Sequence, residues 1–181
     1  MHGAIPTAAS VALGAAMAAA VCDLQRGRIP NWLTLPPIVL APLAYGWASG
    51  PEHALHSLGA AILSASVPYL LFRRSAMGGG DVKLFAALGA VTGFDLLAGI
   101  EIQLAAFAVA MFVALGVLAW KGVLLRTLSS ALAVALRPVL PNRWRRAPCP
   151  ELSAEIRMGV PILIATVFFA APHLLSAWSE P

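Results

Sequence analysis

Six long apolar segments constrain this chain more than any other feature of its sequence. A helix of about 20 apolar residues is long enough to span a bilayer. Of the 181 residues, 60% are hydrophobic and 11% are charged, whereas a soluble domain carries about 25% charged residues. The sequence therefore predicts an all-α, polytopic membrane bundle, with about six transmembrane helices in one integral-membrane domain over residues 1–181. The predicted segments run near Ile5–Cys22, Trp32–Ser49, Ala54–Phe72, Val82–Leu97, Ala98–Trp120 and Met158–Trp178.

The positive charges collect on one side of this predicted bundle. With six alternating crossings, all twelve Lys and Arg residues lie on the side that is reached after segments one, three and five. The opposite connections contain Glu52, Asp95 and Glu101 and no basic residue. The positive-inside rule places the basic side in the cytoplasm and both termini outside. The net charge of +4 therefore reflects membrane topology, and we expect no binding to nucleic acid.

A longer basic connection, residues 121–157, separates segments five and six. Its first part, Gly122–Leu136, has leucines at helical spacing, which predicts a cytoplasmic interfacial amphipathic helix. Its second part, Arg137–Pro150, is rich in arginine and proline and is expected to lie as a loop against anionic lipid headgroups. Docking of a cytoplasmic partner is the alternative interpretation of this loop.

The sequence contains no pattern that is typical of a metal site or a disulfide framework. Cys22 and Cys149 are isolated, and the four histidines lie outside the apolar runs or at their ends. None of these residues has the spacing of metal ligands or of paired cysteines. We therefore expect neither a metal nor a cofactor.

Two aspartates stand where predicted spans end or begin. Asp23 ends segment one and Asp81 opens segment four, so the predicted topology places both on the cytoplasmic side. A carboxylate near hydrocarbon is costly and usually functional. Two adjacent carboxylates share a proton, so that one can activate water while the other polarises a peptide carbonyl. The pair indicates aspartic protease chemistry, provided that helix packing brings the side chains together.

Each aspartate also has a purely structural interpretation. Asp23 can pair with Arg26 or Arg28 at the membrane interface. Asp81 can act as the N-cap of the helix that follows it. Asn31, which precedes the second segment, is expected to bond the local backbone or to cap the next helix.

The glycines beside Asp81 have a predicted role of their own. Gly78, Gly79 and Gly80 are expected to let the backbone approach an extended substrate closely and to adopt positive φ. A flexible loop before a helix is the alternative. Lys83 lies in the first helical turn, where a cation opposes the macrodipole. We expect a carboxylate or a lipid phosphate to compensate the positive charge of Lys83. Alternatively, the side chain snorkels, so that its charged end reaches the membrane surface.

The residues around both aspartates resemble a family of membrane proteases. The segment Asp23–Thr34, which reads Asp-Leu-x-x-x-x-Ile-Pro-Asn-x-Leu-Thr, is similar to the first motif of the type IV prepilin peptidases. The segment Gly78–Ala90 resembles their second motif, the GxGD signature that is shared with archaeal preflagellin peptidases and presenilin-type proteases. Arg157–Pro161 is loosely similar to the last-helix motif of the family.

The resemblance implies an aspartic endopeptidase in the bacterial inner membrane. Such an enzyme removes the short basic leader of a prepilin or pilin-like protein at the cytoplasmic face, and Asp23 and Asp81 match its two catalytic aspartates. The larger relatives carry an additional domain with paired cysteines and N-methylate the new terminus. This chain begins almost directly in its first span and has no such cysteines. It therefore resembles the short, peptidase-only form of tight-adherence (Flp) pili, and N-methyltransferase activity is not expected.

Two other classes of function stay open at this point. A small transporter or channel could use the acidic pair as a proton relay or cation site. A non-catalytic pilus assembly protein could have the same layout of spans. Neither the pilin that is cleaved, nor the oligomeric state, nor the resting distance between Asp23 and Asp81 follows from the sequence.

Overall fold

The computed structural model describes residues 4–122, 124–125, 129 and 158–179. The prediction of an all-helical chain is confirmed, because these residues contain helices and turns and no strand. Within the described residues, the first and last residues of six helices are defined. The helices are α1 (Ala4–Arg26), α2 (Asn31–Ser49), α3 (Pro51–Arg73), α4 (Gly79–Val91), α5 (Ala98–Trp120) and α6 (Gly159–Ser179).

The chain divides into two compact units. One unit comprises Met1–Val109 and Arg157–Pro181, and the other comprises Ala110–Ile156. Every residue of the site described below belongs to the first unit. The predicted interfacial helix lies almost entirely outside the described residues, and the predicted basic loop lies wholly outside them. The assignment of the whole chain to one domain stays a prediction.

Helices α1 and α6 pack against each other through small side chains. Small residues let helix backbones approach closely, and this packing drives helix association where lipid surrounds the protein. From α6, Ile162 and Ala165 enter the same buried core. The alanines that α1 buries are Ala8, Ala9, Ala12, Ala16, Ala19 and Ala20.

Helix α4 lies among the other helices and packs against α1, α2 and α3. Leu84, Phe85 and Leu88 are almost completely buried. The ring of Phe85 meets the ring of Phe107 from α5 edge-on, with centroids 5.7 Å apart. The core of the first unit is therefore built around a helix that other helices surround.

The predicted fourth segment, Val82–Leu97, is wrong at its outer end. Helix α4 ends at Val91, and donors from two other helices bond its last carbonyl groups. The hydroxyl of Tyr45 in α2 donates to the Val91 carbonyl at 2.8 Å, and Ser57 in α3 donates to the Ala90 carbonyl at 2.7 Å. Terminal carbonyls of a buried helix need such donors.

The prediction of a helical membrane bundle is confirmed, with four helices that are long and apolar enough to cross a membrane. They are α1, α3, α5 and α6. Helix α4 has 13 residues, which extend about 20 Å, less than the ~30 Å hydrocarbon core of a bilayer. Helix α2 begins at Asn31 and contains Pro36, Pro37 and Pro42. The crossings by α2 and α4 stay predictions.

Candidate active site

Asp23 and Asp81 line the same cavity of about 290 Å³ at one end of the first unit. The structure therefore brings the two predicted site residues together, although they lie on different helices. The cavity wall comes from the end of α1, the turn between α1 and α2, and the beginning of α4. Its other lining residues are Gly27, Arg28, Ile29, Gly78, Gly79 and Gly80.

Asp23 lies in the last turn of α1 and is buried, with 7% of its surface exposed. Its Oδ2 accepts a hydrogen bond of 3.0 Å from the backbone N–H of Gly159. This partner replaces the predicted pairing with Arg26 or Arg28, both of which are exposed. The carboxylate therefore faces the beginning of α6 rather than a surface arginine.

Gly27 ends α1 and turns the chain towards α2. Its N–H bonds the Asp23 carbonyl at 2.8 Å, and its φ of 63° lies in the left-handed region that glycine adopts without strain. Ile29 and Pro30 then lead into α2, with Pro30 as the N-cap in extended geometry. This turn places Arg28 and Ile29 on the cavity beside Asp23.

Asp81 is the third residue of α4, so the prediction that it is the N-cap is wrong. The N-cap is Gly78, with φ −75° and ψ 144°. A side chain at the third helical position can reach back to the N-cap backbone, as in a capping box. The geometry agrees, because a Cβ on Gly78 would lie 3.1 Å from Asp81 Oδ2.

Burial raises the pKa of the Asp81 carboxyl from its ordinary 3.8 to about 6. The negative charge of Asp23 acts in the same direction, and a backbone hydrogen bond at Gly78 acts against both. Asp81 lies outside the four candidate spans. A carboxyl whose pKa is raised to about 6 thus lines one cavity with a second carboxyl. Acid–base catalysis by two aspartates uses such a pair when one member holds a proton.

The glycines before Asp81 serve close packing, and the prediction that they have positive φ is wrong. Gly79 and Gly80 belong to α4, and none of the three has φ in the left-handed region. A Cβ on Gly80 would lie 3.1 Å from Ile29 Cβ, and one on Gly79 would lie 3.3 Å from Phe72 Cε2. The missing side chains of Gly79 and Gly80 therefore let the backbone of α4 lie close to Phe72 and Ile29. Gly78, Gly79 and Gly80 also line the cavity.

Lys83 joins the two motifs beside the cavity. Its Nζ donates a hydrogen bond of 2.9 Å to Oδ1 of Asn31, the first residue of α2. The group that Lys83 contacts in the structure is therefore a side-chain amide rather than a carboxylate. Contact with a lipid phosphate and snorkelling of the side chain stay predictions. Asn31 does not cap α2, since Pro30 is the N-cap. Lys83 therefore links α4 to α2 through a hydrogen bond. It is not among the residues that line the cavity.

The beginning of α6 is the part of the site that sequence reasoning missed. Gly159 approaches Asp23 across 136 positions of the chain. The signal that could have found it is the loose last-helix motif, of which Gly159 is the third residue. Arg157, the first residue of that motif, lies outside the described residues.

Metal-binding groups do not cluster in the part of the chain that the structure describes. No three of its His, Cys, Asp and Glu side chains lie close enough together to hold a metal ion. The cavity itself presents two carboxyls and Arg28 as its titratable groups.

Comparison with known proteins relates this site to a peptidase family. The sequence profile of the type IV leader peptidase family matches residues 10–137, which include both aspartates. The prepilin peptidase EppA of Methanothermobacter thermautotrophicus is 38% identical over 92 residues, which cover 47% of this chain and 23% of that relative. The chain thus spans about a quarter of the length of this curated relative. No solved structure matches the chain significantly. The profile match over most of the chain, on a helical membrane bundle, shows that this protein belongs to the type IV leader peptidase family.

Proposed function

We propose that this protein is an aspartic endopeptidase of the bacterial inner membrane that removes the leader of a prepilin or pilin-like protein. The observation that carries the proposal is the convergence of Asp23 and Asp81 on one cavity. Membership of a leader peptidase family supports the reaction class. The name of the curated relative, a prepilin peptidase, supports the substrate class.

The environments of the two carboxyls suggest a division of roles. Asp81 keeps its proton up to about pH 6, because burial and the charge of Asp23 raise its pKa to that value. Of the two carboxyls, Asp81 is the one whose surroundings favour the protonated form, and Asp23 accepts an N–H from the first residue of α6. Asp23 therefore acts as the general base, and Asp81 acts as the general acid.

The reaction then proceeds in two balanced steps. Asp23 takes a proton from water as the water oxygen attacks the carbonyl carbon, and Asp81 gives its proton to the carbonyl oxygen. The tetrahedral intermediate collapses when Asp23 donates its proton to the leaving nitrogen and the C–N bond breaks. A hydroxyl proton of the intermediate returns to Asp81, so the pair regains its initial protonation state.

The exposed charges around the cavity support a cytoplasmic site. Arg26, Arg28, Arg73 and Arg74 are exposed near the ends of α1 and α3, on the side where the two aspartates lie. The positive-inside rule assigns that side to the cytoplasm. A leader is then cut just before the hydrophobic segment of its substrate enters the bilayer.

The two aspartates provide the direct test. We expect Asp23→Asn and Asp81→Asn each to lower the rate of leader removal by at least about 10³-fold, because each removes one half of the acid–base pair. The measurement is co-expression with a candidate prepilin, followed by a mobility shift and by mass spectrometry of the product. The product should lack the leader and carry no added methyl group.

The third aspartate of the chain supplies a matched control. Asp95 is exposed in the turn after α4, where its Oδ1 accepts the N–H of Leu97 at 2.9 Å. Asn retains such an acceptor, so Asp95→Asn should process the prepilin at the normal rate. Normal processing by both Asp23→Asn and Asp81→Asn would contradict the proposal and favour a transporter or an assembly protein.

A further inference from the structure

The beginning of α6 holds the Asp23 carboxylate through a single buried contact. The backbone N–H of Gly159, the first residue of α6, donates to Asp23 Oδ2 at 3.0 Å. The first N–H groups of a helix have no acceptor within that helix. A carboxylate placed there satisfies one donor and interacts favourably with the positive end of the helix macrodipole.

Asp23 needs this partner because of its position on its own helix. It lies in the last turn of α1, where the carbonyl groups carry partial negative charge and disfavour a carboxylate. It is also buried, so water provides little hydration for the ionised form. A donor from a second helix compensates for both effects and selects one orientation of the side chain.

The contact leaves no room for a side chain at position 159. A Cβ on Gly159 would lie 2.8 Å from Asp23 Cβ, 2.9 Å from Asp23 Oδ2 and 3.1 Å from Ala20 Cα. Two of these neighbours, a Cβ and a Cα, cannot rotate away as the end of a flexible side chain can. Since helical interiors are close-packed, an added methyl group would displace the carboxylate or separate α1 from α6.

We propose that Gly159 is a positioning residue, whose backbone N–H and missing side chain hold the Asp23 carboxylate in its orientation towards the cavity. The inference rests on the catalytic role proposed above for Asp23. It extends that role by giving the beginning of α6 the task of orienting the general base.

The substitution Gly159→Ala tests the positioning role, because it keeps the N–H and adds the methyl group for which the site has no space. We expect kcat for leader removal to fall by about 10²-fold, as for a misplaced catalytic group, with KM within about twofold of its original value. A merely structural role for Gly159 predicts loss of folded protein with normal kcat per folded molecule. An unchanged kcat would overturn the proposal.

Gly14→Ala is the matched control on the helix that carries Asp23. A Cβ on Gly14 would meet no heavy atom within 4 Å. The same change of residue type should therefore leave kcat and KM as they are. A comparable loss in both variants would show that the effect is not specific to the Asp23 contact, and it would also overturn the proposal.

A second measurement needs no change at position 159 and so avoids any failure of Gly159→Ala to fold. In full-length protein labelled with ¹⁵N-glycine, the amide proton resonance of Gly159 should move when Asp23→Asn removes the charged acceptor, since Gly159 donates to that group. The Gly14 amide resonance should stay in place. A Gly159 amide that is insensitive to Asp23→Asn would overturn the contact itself.

The two lines of experiment separate failure of this inference from failure of the proposed function. If Asp23→Asn cleaves prepilin normally, the peptidase mechanism fails, whatever the amide resonance of Gly159 shows. If Asp23→Asn is inactive while Gly159→Ala keeps its kcat, the mechanism stands and the positioning role fails.

Discussion

At the scale of single residues, the protonation of Asp81 governs the expected pH dependence of the reaction. Burial, and then the charge of Asp23, raise the pKa of this carboxyl to about 6. The proposed general acid is therefore present below about pH 6 and is lost as the pH rises through that value. Asp23 is held by a backbone donor from another helix, so the two similar side chains have different surroundings. The different roles proposed for them rest on this difference.

This difference leads to a prediction for the kinetics of the free enzyme. We expect kcat/KM to fall on the alkaline side of about pH 6, by about tenfold per pH unit, because one proton is lost from Asp81. The measurement is a pH profile of kcat/KM with a purified prepilin in detergent or nanodiscs. A profile that rises through this range would show that Asp81 acts in its ionised form and would reverse the assigned roles.

At the scale of elements, close contacts through small residues decide how the helices fit. Gly89 of α4 and Gly99 of α5 both lie against Ser64 of α3. A Cβ on Gly89 would be 2.6 Å from the Ala60 carbonyl oxygen, and one on Gly99 would be 2.8 Å from Gly89 Cα. Three helices can therefore meet at this point only because two of the positions carry no side chain.

The substitution Gly89→Ala should consequently destabilise the fold. We expect a loss of about 1–3 kcal/mol, the usual cost of overpacking a core, even though alanine is the better helix former. Thermal or denaturant unfolding of the purified protein measures the loss. Gly14→Ala, which meets no neighbouring atom within 4 Å, should leave stability unchanged or slightly raised. Equal stability of the two variants would contradict the packing argument.

At the scale of the whole molecule, the position of the site relative to the membrane determines which part of a substrate it can reach. Helix α3 is a candidate span, and Ser49 and Ser75 are exposed just beyond its two ends. The aspartates lie on the side of Ser75, which also carries Arg73 and Arg74. The charge distribution predicts that this side is cytoplasmic.

Cysteine labelling tests the predicted orientation with a matched pair of variants. In a background in which Cys22 and Cys149 are replaced by serine, we expect Ser49→Cys to react with a membrane-impermeant maleimide in intact spheroplasts. Ser75→Cys should react only in inverted vesicles or after permeabilisation. The opposite pattern would place the aspartates outside the cytoplasm and would rule out cleavage at the cytoplasmic face.

The sequence predicted the helical segments well, because hydrophobicity over about 20 residues is a local property. Helix bounds depart from the predicted segments by a few residues, apart from α4. That helix stops at Val91, where Tyr45 and Ser57 donate to its last carbonyls. The residues near Val91 in the sequence do not predict these hydrogen bonds, because the donors lie on two other helices.

The sequence by itself determined the membrane class of this protein, the approximate bounds of its helices and the two aspartates to examine. Only the tertiary structure decided that Asp23 and Asp81 share a cavity and that Gly80 lies against Ile29. It also decided that Gly159 bonds Asp23. Apolar length and residue type act within one segment, whereas a contact between distant residues depends on how several helices pack at once.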